Sequence, residues 1–271
     1  MKGKVYLVGA GPGDPELLTL RAHRLIREAD VILHDGLVSA QILKLAASGA
    51  LVRDVAKRCG RHTLTQDEIN IQLVAFASFG LMVVRLKGGD PLVFGRAGEE
   101  MAALKGAGIE FEVVPGVTAA LSAAAALQIS LTQREVASSL VIMPGHHADD
   151  SSLDLRPLAA SHATFVVYMP GHDYREITTR LLLADVDPST PCAIVSRAMA
   201  LDQKVHVTTV ASLPDSPRLP SPSLLIVGEV VHAAKSHIQA SILTAAQVEA
   251  AKVPPDLHSF ADTQPTLDLA R

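Results

Sequence analysis

Tryptophan is absent from the 271 residues, and aromatic residues make up only 3% of them. With so few stacking platforms, single-stranded nucleic-acid binding is disfavoured. Cysteine is scarce: Cys59 and Cys192 are the only two, far apart and outside any C-x-x-C pattern. Neither a zinc site nor a disulfide framework follows from them, so no metal is expected. A reducing, cytoplasmic setting is the plain reading. Positive charge is not in excess either. Lys and Arg number 24 against 28 Asp and Glu, a net charge of −4. No overall field therefore draws nucleic acid or an anionic membrane, and any anionic ligand must be met by a local cluster of cations. Long apolar runs are missing as well. Residues 116–131 are Ala-rich but broken by Thr118, Ser122, Gln128 and Ser130, which reads as a buried helix and not a membrane span. The first residues enter a strand-like run directly, with no leader pattern before it.

What remains is a globular composition, 48% hydrophobic and 19% charged. The length suffices for a core without covalent staples. Apolar runs at 5–9, 31–33, 51–55, 81–86 and 111–114 read as strands. Helical spacing at 15–29, 40–47, 67–79, 97–107 and 117–127 separates and follows them, with Thr65 placed to cap the third. Strands alternating with helices imply an α/β sheet with parallel pairing. The pattern restarts near residue 136, with strands expected at 139–143, 164–169, 192–195 and 224–227 and a helix at 174–184. Residues 204–210 alternate like an edge strand, and 213–222 are Pro- and Ser-rich like a loop. The expectation is two α/β domains with mostly parallel sheets, 1–136 and 137–250, a ligand cleft between them, and a flexible tail at 251–271.

Three glycine-containing segments follow strands. Val8-Gly-Ala-Gly-Pro-Gly-Asp-Pro15 allows close backbone approach to a ligand, or serves only as a tight strand–helix turn. It lacks G-x-G-x-x-G and any G-K-[ST], so it is neither the dinucleotide fingerprint nor a Walker loop. Its prolines remove N–H donors that a phosphate would use, which suits a ligand without phosphates. In Leu86-Lys-Gly-Gly-Asp-Pro91, Asp90 stands at the carboxyl end of a strand, where open α/β sheets bind ligands. Its plainer role is a turn or cap residue. Val113-Val-Pro-Gly-Val-Thr-Ala-Ala120 starts a helix and adds a third loop to the same edge. Glu99 and Glu100 read as first-turn helix residues favoured by the helix dipole.

Together these segments, with Pro222-Ser-Leu-Leu-Ile-Val-Gly-Glu-Val230, resemble the tetrapyrrole methylase family from about Lys4 to Val231. The likeness is nearest to members that C-methylate uroporphyrinogen III with S-adenosylmethionine (SAM), without a fused dehydrogenase/chelatase module. It implies two methylations, at C2 and C7, giving precorrin-2 through precorrin-1 and releasing S-adenosylhomocysteine, on routes to sirohaem or cobalamin. A later precorrin methyltransferase of the family and a non-catalytic SAM-binding regulator stay open as alternatives. By the resemblance, the SAM pocket comprises Pro12, Gly88, Gly89, Asp90, Val93, Thr118, Ala119, Met169 and Ala198. It also implies Asp35 as base, Lys57 as acid or as a charge partner of the substrate, and Arg96 beside the tetrapyrrole. A homodimer, a tetrapyrrole substrate and no metal, nucleic-acid or membrane partner complete the expectation.

A substrate with eight carboxylates asks for cations. Arg58, Arg61, Lys87 and Arg134 are the candidate substrate-binding residues, with Arg85 in the same patch. Arg offers bidentate geometry for carboxylates. His146-His147 is weak as a metal pair.

Overall fold

The computed structural model describes residues 2–56, 64–145 and 154–234. Lys57, Arg58, Cys59, Arg61, His146-His147 and the 251–271 tail lie outside the described residues. In the first half, β1 (Lys4–Gly9), β2 (Val31–His34), β3 (Leu51–Asp54), β4 (Val83–Lys87) and β5 (Glu110–Val114) pair in the order β3-β2-β4-β1-β5. Every pairing in this sheet is parallel. The helices are α1 (Leu20–Glu28), α2 (Ala40–Leu43), α3 (Gln66–Ser78), α4 (Ala97–Gly106) and α5 (Ala119–Leu127). Val5, Leu7, Val31 and Leu33 pack against Leu73, Ala77 and Leu104 on one face. Val8, Ile32, Val84 and Leu86 pack against Leu25, Ile26 and Ile42 on the other. A sheet covered on both faces needs strands largely apolar, which is why β1 reads as an apolar run and β4 is apolar but for Arg85 and Lys87.

The helix starts follow side-chain caps. Thr65 and Glu68 form the reciprocal pair: the Glu68 N–H donates to Thr65 Oγ1 at 3.2 Å, and the Thr65 N–H to Glu68 Oε2 at 2.6 Å. The helix expected from residue 15 begins later. Pro15–Leu17 is a 3₁₀ turn capped by Asp14, and α1 starts after Thr19, whose Oγ1 accepts from the Ala22 N–H.

The second half holds β6 (Leu140–Pro144), α6 (Arg156–Ala160), β7 (Thr164–Tyr168), α7 (Arg175–Leu183), β8 (Pro191–Ser196), β9 (Lys204–Thr209) and β10 (Ser223–Val227). Their sheet runs β6-β7-β10-β8-β9. The α/β class with two sheets holds, but only β6–β7 is parallel here; β7–β10, β10–β8 and β8–β9 are antiparallel. The cause is the connections. Residues 197–203 turn β8 straight back into β9. Residues 210–222, with only a 3₁₀ turn at Leu213–Asp215, cross over β8 so that β10 enters between β7 and β8 running in the direction of β9, opposite to both neighbours.

Helix α5 joins the halves. It leaves the first sheet from β5, yet Ala120, Ala123, Ala124 and Leu127 pack on Val166, Ala193, Val195 and Ile226 of the second. Among the described residues no helix is long and apolar enough to cross a membrane.

The loops after β1, β4 and β5 touch backbone to backbone. A Cβ on Gly116 would lie 2.4 Å from the Gly89 carbonyl oxygen and 2.8 Å from Gly9 Cα. Gly116→Ala is therefore expected to lower stability by about 1–3 kcal/mol, as overpacking against an unyielding neighbour does. A fall in the urea midpoint at unchanged m-value checks it.

Candidate functional site

The strand order sets the site. Parallel strands end at one edge, so β2, β4, β1 and β5 deliver Asp35, Gly88–Asp90, Gly11–Pro12 and Gly116–Thr118 in a row. Gly11 and Gly89 exchange backbone bonds across the two loops, N–H to O at 3.1 and 2.8 Å, both with left-handed φ near +66° and +68°. Those donors are consumed by the protein, in keeping with a ligand that presents no phosphate there.

Two carboxylates staple the loops. Asp35 accepts from the Leu37 N–H with one oxygen and from the Gly88 N–H with the other, both at 3.0 Å. It thereby ties the β2 loop to the β4 loop. Asp90 accepts from the Leu92 N–H at 2.8 Å, the expected turn role, and from the Gly116 N–H at 3.0 Å. The second bond joins the β4 and β5 loops. Both carboxylates are half-buried and reach the cleft.

That cleft, a cavity of about 200 Å³, opens between the loop row and the second sheet. Pro12, Gly88, Gly89, Asp90, Val93, Thr118, Ala119, Met169 and Ala198 all line it, as do Asp35 and Lys87. The structure thus brings together residues drawn from six separate segments. It adds Leu37, Phe94, Tyr168, Val195, Arg197 and Pro222–Leu224, which sequence reasoning missed. Several of these adjoin residues already singled out: Phe94 follows Val93, Tyr168 precedes Met169 and Arg197 precedes Ala198. Phe94, Met169 and Arg197 hold left-handed φ values of 51°, 51° and 50°. Such non-glycine conformations cost about 1–3 kcal/mol each in surroundings that over-determine them, and they cluster at ligand sites.

The cations fall differently from expectation. Arg85, placed in the patch by sequence, turns into the core: it is 4% exposed and its Nε donates to Glu100 Oε1 at 2.9 Å. Lys87 is 3% exposed, and its Nζ donates to both oxygens of Glu100 at 2.9 Å. Glu100 is fully buried. Beyond standing in the first turn of α4, it is the shared counterion of two buried cations. Burial first, and the like charge of Arg85 second, push the Lys87 ammonium below the ordinary lysine range, and Glu100 opposes them. Lys87 borders the cleft with its charge already engaged. Gly95 leaves room for it, since a Cβ there would meet Lys87 Cε at 3.1 Å.

Arg96 caps no N–H of α4; it holds φ 56° and forms a two-point pair with Glu99, both bonds 2.7 Å. Its side chain is half-exposed, next to cleft-lining Gly95. The Arg96 hydrogen bond holds the Glu99 carboxyl below its usual range. Arg134 is exposed in the turn between Gln133 and Ala137, and it is not among the residues lining the cleft. Among the described residues no group of His, Cys, Asp and Glu could hold a metal ion.

Fold and cleft define a two-sheet α/β protein with a cleft between glycine-rich loop ends and the second sheet. Residues 4–214 match the family model described as Tetrapyrrole (Corrin/Porphyrin) Methylases. The chain belongs to this family of methyltransferases. It is 48% identical over 234 residues to a siroheme synthase of Methylococcus capsulatus, covering 84% of this chain and 49% of that protein. A siroheme synthase 1 of Pectobacterium atrosepticum is 47% identical over 232 residues, 85% of this chain and 48% of the relative. The chain thus spans about half the length of the curated relatives it matches. Among solved structures, a uroporphyrin-III C-methyltransferase from Thermus thermophilus is 44% identical with a TM-score of 0.74, over 87% of this chain and 96% of that one. The same enzyme complexed with S-adenosylhomocysteine aligns at 42% identity and TM-score 0.73, over 85% of this chain and 99% of that one.

Proposed function

We propose that this chain transfers methyl groups from SAM to two carbons of uroporphyrinogen III, C2 and C7, giving precorrin-2 through precorrin-1 and releasing S-adenosylhomocysteine. One observation carries the reading: nine residues that the family resemblance assigns to the donor converge on a single cleft. The cleft suits the donor chemically. Its glycine edges bond to one another, its walls are apolar at Val93, Phe94, Val195 and Leu224, and a carboxylate stands ready for a cation. SAM supplies a methyl group on a sulfonium, displaced in line by the carbon nucleophile.

The residues of this chain orient, shield and manage protons. Asp90 sets the spacing of the β4 and β5 loops and offers its remaining lone pairs to the donor's positive groups. Leu37, Phe94 and Met169 at the mouth exclude water from the transfer path, which strengthens every charge interaction inside. After C-methylation a ring proton must leave. Asp35, fixed by two N–H bonds at the edge of the cleft, is the base that takes it. Arg96 meets a substrate carboxylate from the rim, and Lys57, Arg58 and Arg61 supply further cations to the substrate. The protein acts as a homodimer.

Anaerobic incubation with uroporphyrinogen III and SAM tests this. The expected result is a dimethylated product by mass spectrometry, with a monomethylated species at early times. Methylation only of an already methylated precorrin assigns the chain a later ring position. SAM binding with no transfer to either substrate overturns catalysis altogether.

A further inference from the structure

Thr118 stands at the N-cap of α5, yet its side chain makes no bond to the helix's own N–H groups. A residue from the other sheet does that work. The Ala120 N–H donates to the Tyr168 hydroxyl oxygen at 2.9 Å, and Thr118 Oγ1 lies 2.6 Å from the same oxygen. A phenol has one proton to donate and lone pairs to accept with, so one hydroxyl can serve both partners. The Tyr168 ring also meets Phe94, centroids 5.1 Å apart at 52°. Tyr168 ends β7, so one side chain from the second sheet grips the β4 loop through Phe94 and the β5 loop through Thr118 and Ala120. Phe94, Thr118, Ala119 and Met169 all line the cleft.

We propose that Tyr168 is a positioning residue for the methyl donor: its hydroxyl holds Thr118 and Ala119 against the cleft, and donor affinity depends on that grip. The inference rests on the reading that the cleft takes SAM. A Thr free to cap its own helix would turn its oxygen towards the helix N–H groups. Here Tyr168 satisfies the first turn, and Thr118 keeps its oxygen at the cleft wall. The grip spans both sheets, so it also fixes the cleft width.

Tyr168→Phe removes one oxygen and keeps the ring against Phe94. The dissociation constant for S-adenosylhomocysteine, by calorimetry, is expected to rise about 5–10-fold, because the hydroxyl's two hydrogen bonds are lost and part of their worth reaches the donor through the cleft wall. The KM for SAM should rise with it while kcat stays within about twofold, as loss of uniform binding requires. Thr118→Val should cost a similar factor, and the double variant no more than the worse single variant, because both delete the same contact. Amide exchange at Ala120 should quicken in Tyr168→Phe without ligand, which reads the contact even if affinity is confounded by stability. Unchanged affinity in Tyr168→Phe overturns the proposal, as do single-variant losses that multiply. If the wild-type protein gives no heat with S-adenosylhomocysteine, the donor reading itself fails and the proposal goes with it; a normal wild-type affinity beside an unaltered Tyr168→Phe variant sinks the proposal alone.

Discussion

Glu100→Gln is expected to remove about 3–5 kcal/mol of folding stability, the usual result of breaking a buried ion pair from one side. Glu100 is wholly buried and holds Arg85 and Lys87 at 2.9 Å each. The amide keeps the shape but drops the charge, leaving two like cations in the core with hydrogen bonds and the weaker attraction of Asp35 for Lys87 as compensation. For a chain of this size that loss corresponds to a Tm lower by on the order of 10 °C. Replacing the triad together, Arg85→Met, Lys87→Met and Glu100→Leu, should recover most of it, because the desolvated charges vanish along with their attraction. Thermal or urea unfolding of the two variants side by side is the check. If Glu100→Gln unfolds within about 0.5 kcal/mol of wild type, as an ordinary surface substitution would, the triad is not a structural keystone.

Asp90→Ala and Arg96→Ala should fail in opposite ways. Asp90→Ala deletes the acceptor of the Leu92 and Gly116 N–H bonds and a cleft-lining carboxylate together. Hydrogen bonds to charged groups are worth about 1.5–3 kcal/mol, so affinity for S-adenosylhomocysteine should fall at least tenfold. Arg96→Ala touches no bond between the loops; its recorded ion pair is with exposed Glu99. Donor affinity should stay within about twofold of wild type, while turnover with the tetrapyrrole drops by about 100-fold or more through lost orientation. Calorimetry with the demethylated donor and single-turnover assays separate the two effects. Equal loss of donor affinity in both variants would show that the cleft is not divided between a donor side and a substrate side.

The three loops were legible because their chemistry is local. Gly and Pro punctuate the ends of apolar runs, and parallel strands carry whatever follows them to one edge. Arg85 and Lys87 were expected among the cations that meet the substrate, and their burial against Glu100 went unread although a signal was present. They stand two apart in the strand Val83–Lys87, hence on one face, and that strand is apolar otherwise. Two cations on one face of a buried strand require a buried anion, and Glu100 was at hand. Tyr168 offered no comparable cue, since its partners come from another sheet some fifty residues away. The antiparallel pairings of the second sheet follow from the short reversal between β8 and β9 and the insertion of β10 between β7 and β8, which apolar runs alone do not convey. Arg134, expected among the substrate-binding cations, stands in an exposed turn and is not among the cleft-lining residues.

Helix α5 has a consequence for any attempt to dissect the molecule. Its alanine face, Ala120, Ala123 and Ala124 with Leu127, is covered by strands that come later in the chain. A fragment ending at residue 136 would carry that face bare into water, and the complementary fragment would lose the helix that seals its own interior. Neither piece is autonomous. Cutting the chain between its two sheets would unmake both, and a surviving N-terminal fragment would keep its glycine loops with nothing across from them.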